Sequence, residues 1–161
     1  MILPLAPSQY DRSDQDRLRR TLELHMDDLR ARALITVDTL TVTKQATLTG
    51  NVALTQFNAG NSGTALTIDW NSGNNQRVTL TGNCTFTLSN PKAGGVYTLE
   101  LVQDGTGSRT VTWPAAVLWP GGTTPTLTTT INRADMFTLY YDAVPGTPKY
   151  LGQTFGLNYA V

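Results

Sequence analysis

The side chains best suited to nucleophilic, redox or metal chemistry are a single histidine, His25, and a single cysteine, Cys84, which stand 59 positions apart. One Cys cannot form an intrachain disulfide, and one Cys with one His cannot complete a Cys/His metal site. A Ser/His/Asp triad would have to use His25, which sits in the charged helix, away in sequence from any pocket of the β region. There is no Gly-x-Ser-x-Gly elbow, P-loop, His-Glu-x-x-His or Cys-x-x-Cys. Paired carboxylates for glycoside chemistry would have to come from Asp69, Glu100, Asp104, Asp135 and Asp142, which are expected instead to face solvent at strand ends and turns. Asp104-Gly105-Thr106-Gly107-Ser108 offers oxygens to a cation, yet a turn accounts for every residue in it. The expectation is therefore no catalytic residue, no metal ligand, no cofactor and no enzyme. Asn83-Cys84-Thr85 fits a glycosylation acceptor pattern, but the N-terminus does not read as a secretory signal. Cys84 shares parity with Leu80 and Phe86 and is read as a small buried hydrophobe.

Aromatic side chains remain as candidates for ligand contact. Trp70, Trp113 and Trp119, with Tyr140, Tyr141 and Tyr150, would stack on sugar rings if exposed. Beside proline-rich loops such residues more often plug a core, so glycan contact at Trp113 and Trp119 is the minority reading.

Composition excludes more functions than it suggests. Twelve Lys+Arg against twelve Asp+Glu cancel, so the basic field of a nucleic-acid binder is absent. The longest apolar stretches, such as Ala115-Ala116-Val117-Leu118-Trp119, are far short of the ~20 residues of a membrane helix. Neither nucleic-acid binding nor membrane insertion is expected. The distribution of charge says more than its total: six Arg and six acids, half of all charges, fall before residue 34. The remainder is rich in Thr, Gly and Asn, which marks a boundary there.

Three segments follow. Residues 1–33 form an arm and a helix. Pro4, Pro7 and Ser8 make the first twelve residues an extended arm, and Ser13-Asp14-Gln15-Asp16 reads as a helix start with Ser13 as its cap. Leu18, Leu22, Met26, Leu29 and Ala33 recur at spacings of 4, 4, 3 and 4, a single narrow stripe with His25 beside it. Such a stripe is closer to a coiled-coil seam than to a core-packed face, and it favours self-association or docking on another protein over covering a sheet of the same chain. If His25 met copies of itself, acidification should loosen the assembly, read as a fall in mass between pH 7.5 and pH 5. Residues 34–62 are a Thr-rich β linker or short shaft, with Leu40, Val42, Leu48, Val52 and Leu54 in one parity.

Residues 63–161 are read as an antiparallel β domain of sandwich or jelly-roll type. Its clearest strand signal is Val78-Thr79-Leu80-Thr81-Gly82-Asn83-Cys84-Thr85-Phe86-Thr87-Leu88, apolar on one face and Thr/Asn on the other. Turn chemistry at 71–75, 90–95 and 104–108 cuts the region into a meander, with further strands near 96–103, 109–113, 126–132, 136–142 and 149–159. Thr47-Leu48-Thr49-Gly50-Asn51 recurs as Thr79-Leu80-Thr81-Gly82-Asn83, too short an echo to establish a solenoid.

The run Ile68-Asp69-Trp70, Gln76 to Asn83, Leu88-Ser89-Asn90-Pro91, Gly94 to Leu99, Gln103 to Pro114 and Trp119-Pro120-Gly121-Gly122 resembles the β domain at the ends of tailed-bacteriophage fibres and head or collar appendages. The arm Leu3 to Arg12 with the following Arg/Leu/Glu helix resembles the attachment end of short phage fibres. The resemblance implies a non-enzymatic virion structural protein, a homotrimer, bound through its N-terminus to a capsid, portal, neck or tail protein and displaying the β domain outward. On this reading Leu18, Leu22, His25, Met26 and Leu29 form the oligomer seam, and Pro4, Leu5, Pro7 and Tyr10 lie in the anchoring arm. The alternative is a carbohydrate-binding module at the tip of a tail fibre, which takes a host surface glycan at Trp113 and Trp119.

Overall fold

The structure, a computed structural model, describes residues 12–32, 42, 43, 45, 47 and 49–161, with side chains placed for 14–24 of the helix. The chain divides into two units, Met1–Thr49 and Gly50–Val161.

In the first unit, α1 spans Arg12–Arg32, with Asp14 in its first turn, where an acid suits the positive end of the helix. The helix begins one residue ahead of the cap expected at Ser13, a shift within the usual uncertainty of a helix end. Arg19 Nε pairs with Glu23 Oε1 one turn on at 3.2 Å, and the Thr21 hydroxyl donates to the Arg17 carbonyl at 2.9 Å.

The second unit is mainly β. Its strands are β1 (Gln56–Asn61), β2 (Ala65–Asp69), β3 (Asn75–Leu80), β4 (Cys84–Ser89), β5 (Val96–Gln103), β6 (Val111–Thr112), β7 (Val117–Leu118), β8 (Arg133–Asp142) and β9 (Lys149–Ala160). They form a six-stranded sheet ordered β1-β3-β5-β8-β9-β7 and a three-stranded sheet ordered β2-β4-β6. A class dominated by strands, with one N-terminal helix, is what the sequence leads one to expect.

The pairing direction is not. Through β6 the chain alternates between the two sheets, and every strand runs parallel to the one two places before it. Asn75 pairs back with Gln56 and forward with Thr98, 19 and 23 residues away. Three stacked turns of a coil result, and antiparallel pairing is confined to β5–β8 and β8–β9. The expected antiparallel meander is therefore corrected. Gly- and Asn-rich turns signal a bend but not the partner beyond it. Here they are corners that carry the chain to the opposite sheet, and the strand lying there serves as the crossover that parallel pairing requires.

The corners stack closely. A Cβ on Gly82, between β3 and β4, would lie 2.8 Å from the carbonyl oxygen of Gly63, between β1 and β2, so only glycine fits. At the opposite corner Asp69 Oδ1 accepts from the Asn71 N–H and from the Asn90 side chain one turn on, both at 2.9 Å. The third corner is tied by Gln103, whose amide donates to the carbonyls of Arg109 and Thr128 at 2.9 and 2.8 Å and accepts from the Arg109 N–H at 2.9 Å. The echo Thr79-Leu80-Thr81-Gly82-Asn83 is the end of β3 and its corner; its 32-residue offset does not match the coil spacing.

Parity along the strands places the core as expected. Val78, Leu80, Cys84 and Phe86 are buried, while Thr85 and Thr87 face out. Ile68, Leu99, Leu101, Phe137 and Leu139 complete the layer between the sheets. The segment near 126–132 is not a strand: its backbone is held by side chains and a corner, with the Thr128 N–H donating to Asp135 Oδ2 at 2.7 Å and the Ser108 N–H to the Thr129 carbonyl at 2.7 Å. The strand expected over 109–113 shrinks to Val111–Thr112. Among the described residues no strand precedes Gln56, so the even-parity pattern at Val42, Val52 and Leu54 is not a strand there; β1, by contrast, joins the six-stranded sheet.

Candidate functional site

Each carboxylate of the β domain has its own partner. Asp104 is bridged by Arg109 Nη2 at 3.0 Å and accepts the N–H groups of Thr106 and Gly107 at 2.9 and 2.8 Å. The Arg109 hydrogen bond holds its carboxyl below the usual carboxylate value. Asp69 is held low in the same way, first by the Asn90 side chain and then by the Asn71 N–H. Glu100 meets Arg77 at 3.5 Å and the Gln56 side chain at 2.9 Å, and Asp142 meets Lys149 at 3.3 Å. Asp135 departs from the expectation of a solvent-facing acid. It is buried and accepts from the backbone N–H groups of Thr128 and Asn158 at 2.7 and 2.9 Å. Asp69, Asp104 and Asp135 fasten loops, while Glu100 and Asp142 join strand to strand.

Cys84 is buried beneath the first corner, 3.7 Å from the Ser62 carbonyl, and burial pushes its thiol up, away from the reactive thiolate. A hollow of about 190 Å³ lies beside β6, lined by Arg109, Val111, Pro125 and Leu127 among others. It is smaller than typical small-molecule sites.

The tryptophans belong to the core. Trp70 stacks on Tyr97 with centroids 4.3 Å apart and donates to the Tyr150 hydroxyl at 3.2 Å. Burial raises the Tyr150 phenol to about 12, against the Trp70 hydrogen bond, which lowers it. Trp113 meets Phe86, Trp119 and Phe137 edge-on at 5.6, 5.1 and 5.2 Å. The Trp119 ring lies so close over β9 that a Cβ on Gly152 would come within 2.8 Å of it. Trp119 is buried and Trp113 half-buried, the core-plug arrangement.

Of the seam residues, Leu18 and Leu22 lie on α1 with 46% and 62% of their surface exposed. His25, Met26 and Leu29 lie on the helical backbone, with side chains outside the described set. Pro4, Leu5, Pro7 and Tyr10 of the arm also fall outside the described residues. Among the described residues no helix is long and apolar enough to cross a membrane.

Sequence reasoning missed the outer face of the six-stranded sheet. Val96 on β5 pairs with Tyr140 on β8, Tyr140 with Leu151 on β9, and Leu151 with Leu118 on β7. All four alternate with buried neighbours (Tyr97, Leu139, Tyr150, Val117), and all four are exposed, which makes one apolar row across four strands. Phe155, at the bulge of β9, is 69% exposed. The only signal in the sequence was that β9 carries apolar residues in both parities, Tyr150 in one and Leu151, Phe155 and Leu157 in the other. Toward β1 the same face turns polar, with Gln56, Arg77 and Glu100 joined in one cluster.

No curated protein and no solved structure matches the chain. Residues 66–144, from β2 to just beyond β8, match the model of a family described as "Putative phage tail fibre C-terminal domain", and that match supports a phage fibre protein.

Proposed function

We propose that the chain is a homotrimeric short fibre, spike or adaptor of the virion. On this reading it is attached through residues 1–12 to a capsid, neck or tail protein, and it displays its β domain outward. The observation that carries this reading is the tail fibre domain match over residues 66–144. The helix supports the oligomeric part. Leu18 and Leu22, one turn apart, are exposed on a surface that is otherwise mostly Arg, Asp and Glu, a seam that a single chain leaves unburied. The role is structural and adhesive rather than catalytic, in keeping with carboxylates engaged by their own neighbours and a buried, unreactive Cys84.

Light scattering on the full chain should give three times the 17.5 kDa chain mass; a single-chain mass would sink the trimer. Deleting residues 2–12 should leave the oligomer soluble but absent from particles, and normal incorporation would remove the arm as anchor. The glycan-binding alternative stays second, because the buried Trp119 offers no open stacking face. A glycan array should return no hit that depends on Trp113.

A further inference from the structure

We infer that the apolar half of the outer face of the six-stranded sheet, centred on Tyr140 and Leu151, is the surface through which copies of this β domain pack against one another. The inference deepens the oligomeric reading above and rests on it.

The geometry starts from register. Val96, Tyr140, Leu151 and Leu118 are direct cross-strand partners, with exposures of 53, 43, 45 and 48%, and Phe155 at 69% extends the patch along β9. Direct cross-strand neighbours stand about 5 Å apart, so the row is a continuous band rather than scattered apolar residues, which would need no explanation. At roughly 150–200 Å² for each large apolar side chain, these exposures leave on the order of 450 Å² of apolar surface in water. A stable interface buries about 800 Å² per partner, of which about 56–65% is apolar, or roughly 450–520 Å². A trimer gives each chain two such contacts, so the patch supplies about half of their apolar area.

Its chemistry selects the occupant. The outward positions beside these residues are Thr138, Gln153 and Met136 on one side and Asp142 and Lys149 on the other, the last two paired with each other at 3.3 Å, so the band carries no unpaired charge. A charged partner would gain nothing there, and a glycan would find few of the polar groups that fix a sugar. A neighbouring copy brings the same apolar band. Chains joined through a common helix also hold one another's β domains at high effective concentration, so that even modest apolar burial is populated. The charged cluster of Gln56, Arg77 and Glu100 lies toward β1, on the part of the face left to solvent.

The test uses the full chain with Leu118→Cys or Leu151→Cys and, as reference, Thr67→Cys on the exposed side of β2; the natural Cys84 is buried and stays in place. Mass by light scattering is measured first, then the rate of maleimide labelling and the yield with a short bismaleimide. The expected result is a multi-chain mass, labelling of L118C and L151C at least tenfold slower than T67C, and interchain cross-links at the first two positions only. Adding Leu151→Lys should abolish the L118C cross-link while the helix keeps the mass unchanged. A multi-chain mass with L118C and L151C labelled as fast as T67C and no cross-link would overturn the inference alone and leave the face to a host or virion protein. A single-chain mass would overturn the oligomeric reading and this inference with it.

Discussion

The coil of β1 to β6 and the ribbon of β8 and β9 solve the same problem in different ways. In the coil, successive turns cover one another: Gly82 rests on Gly63, Asn90 reaches back to Asp69, and outward positions are mostly Thr, Arg and Glu, with Val96 next to the ribbon and Phe57 on β1 as exposed exceptions. The ribbon has a buried inner face, Phe137 and Leu139 against Trp113 and Trp119, but an outer face that stays apolar at Tyr140, Leu151 and Phe155. The difference teaches that the coil is finished as a single chain, whereas the ribbon is finished only on one side. Stability should accordingly be concentrated in the inner faces and the corners, and association in the ribbon's outer face.

Perturbations can break or sharpen that contrast. The largest effect is expected where ribbon and coil share a core: Phe137→Ala removes a fully buried ring in contact with both tryptophans and should cost about 3–5 kcal/mol in urea unfolding. Next, Asp135→Ala removes a buried acceptor shared by the Thr128 and Asn158 N–H groups and should cost about 1–3 kcal/mol, loosening 126–129 from β8. Gly82→Ala strikes the coil alone, since the new methyl meets backbone; about 1–3 kcal/mol should be lost with the ribbon's β8–β9 amide protection retained. Leu151→Lys should loosen packing between copies while leaving β8–β9 amide protection within each chain unchanged, the within-chain cost staying inside the roughly 0.5 kcal/mol of an ordinary surface change. A large loss there would mean that the outer face is part of the single-chain fold.

The smallest effect is in acid. The carboxyls of Asp69 and Asp104 are held below 3.8 by Asn90 and Arg109. A carboxylate with a depressed folded-state value stabilises the protein above its unfolded value, and that contribution disappears as pH falls through the folded value. Stability of the coil should thus be flat above pH 4 and decline below 3.8, and Asp104→Asn should shrink that decline. Both groups are half-buried near the surface, where water screens them, so the slope is shallow.

Much of this was legible in the residues. Val78, Leu80, Cys84 and Phe86 announce their burial by period two, Gln103 to Pro114 carries the corner, and Trp119 beside Pro120 reads as a plug. What the pattern lacked was direction. Period two is the same whether the neighbour runs parallel or antiparallel, and Asn71-Ser72-Gly73 bends the chain in either case. Asp135 escaped because an acid in a strand is ordinarily wet; its two N–H donors lie seven residues before and 23 residues after it, and no local pattern announces them. The apolar row escaped because it runs across strands, through Val96, Tyr140, Leu151 and Leu118, and no stretch of sequence contains it.

Stacked parallel turns also carry a consequence for how such a protein changes over generations. Each turn of the coil rests only on the turns next to it, as Gly82 rests on Gly63. The first turn, β1 with β2, ends both sheets on that side. Duplicating or deleting one whole turn of some twenty residues preserves every inward parity and every corner. The length of the coil is therefore adjustable by inheritance in steps of about 4.8 Å, one strand spacing at a time, while the ribbon and its apolar face pass unchanged from one length to the next.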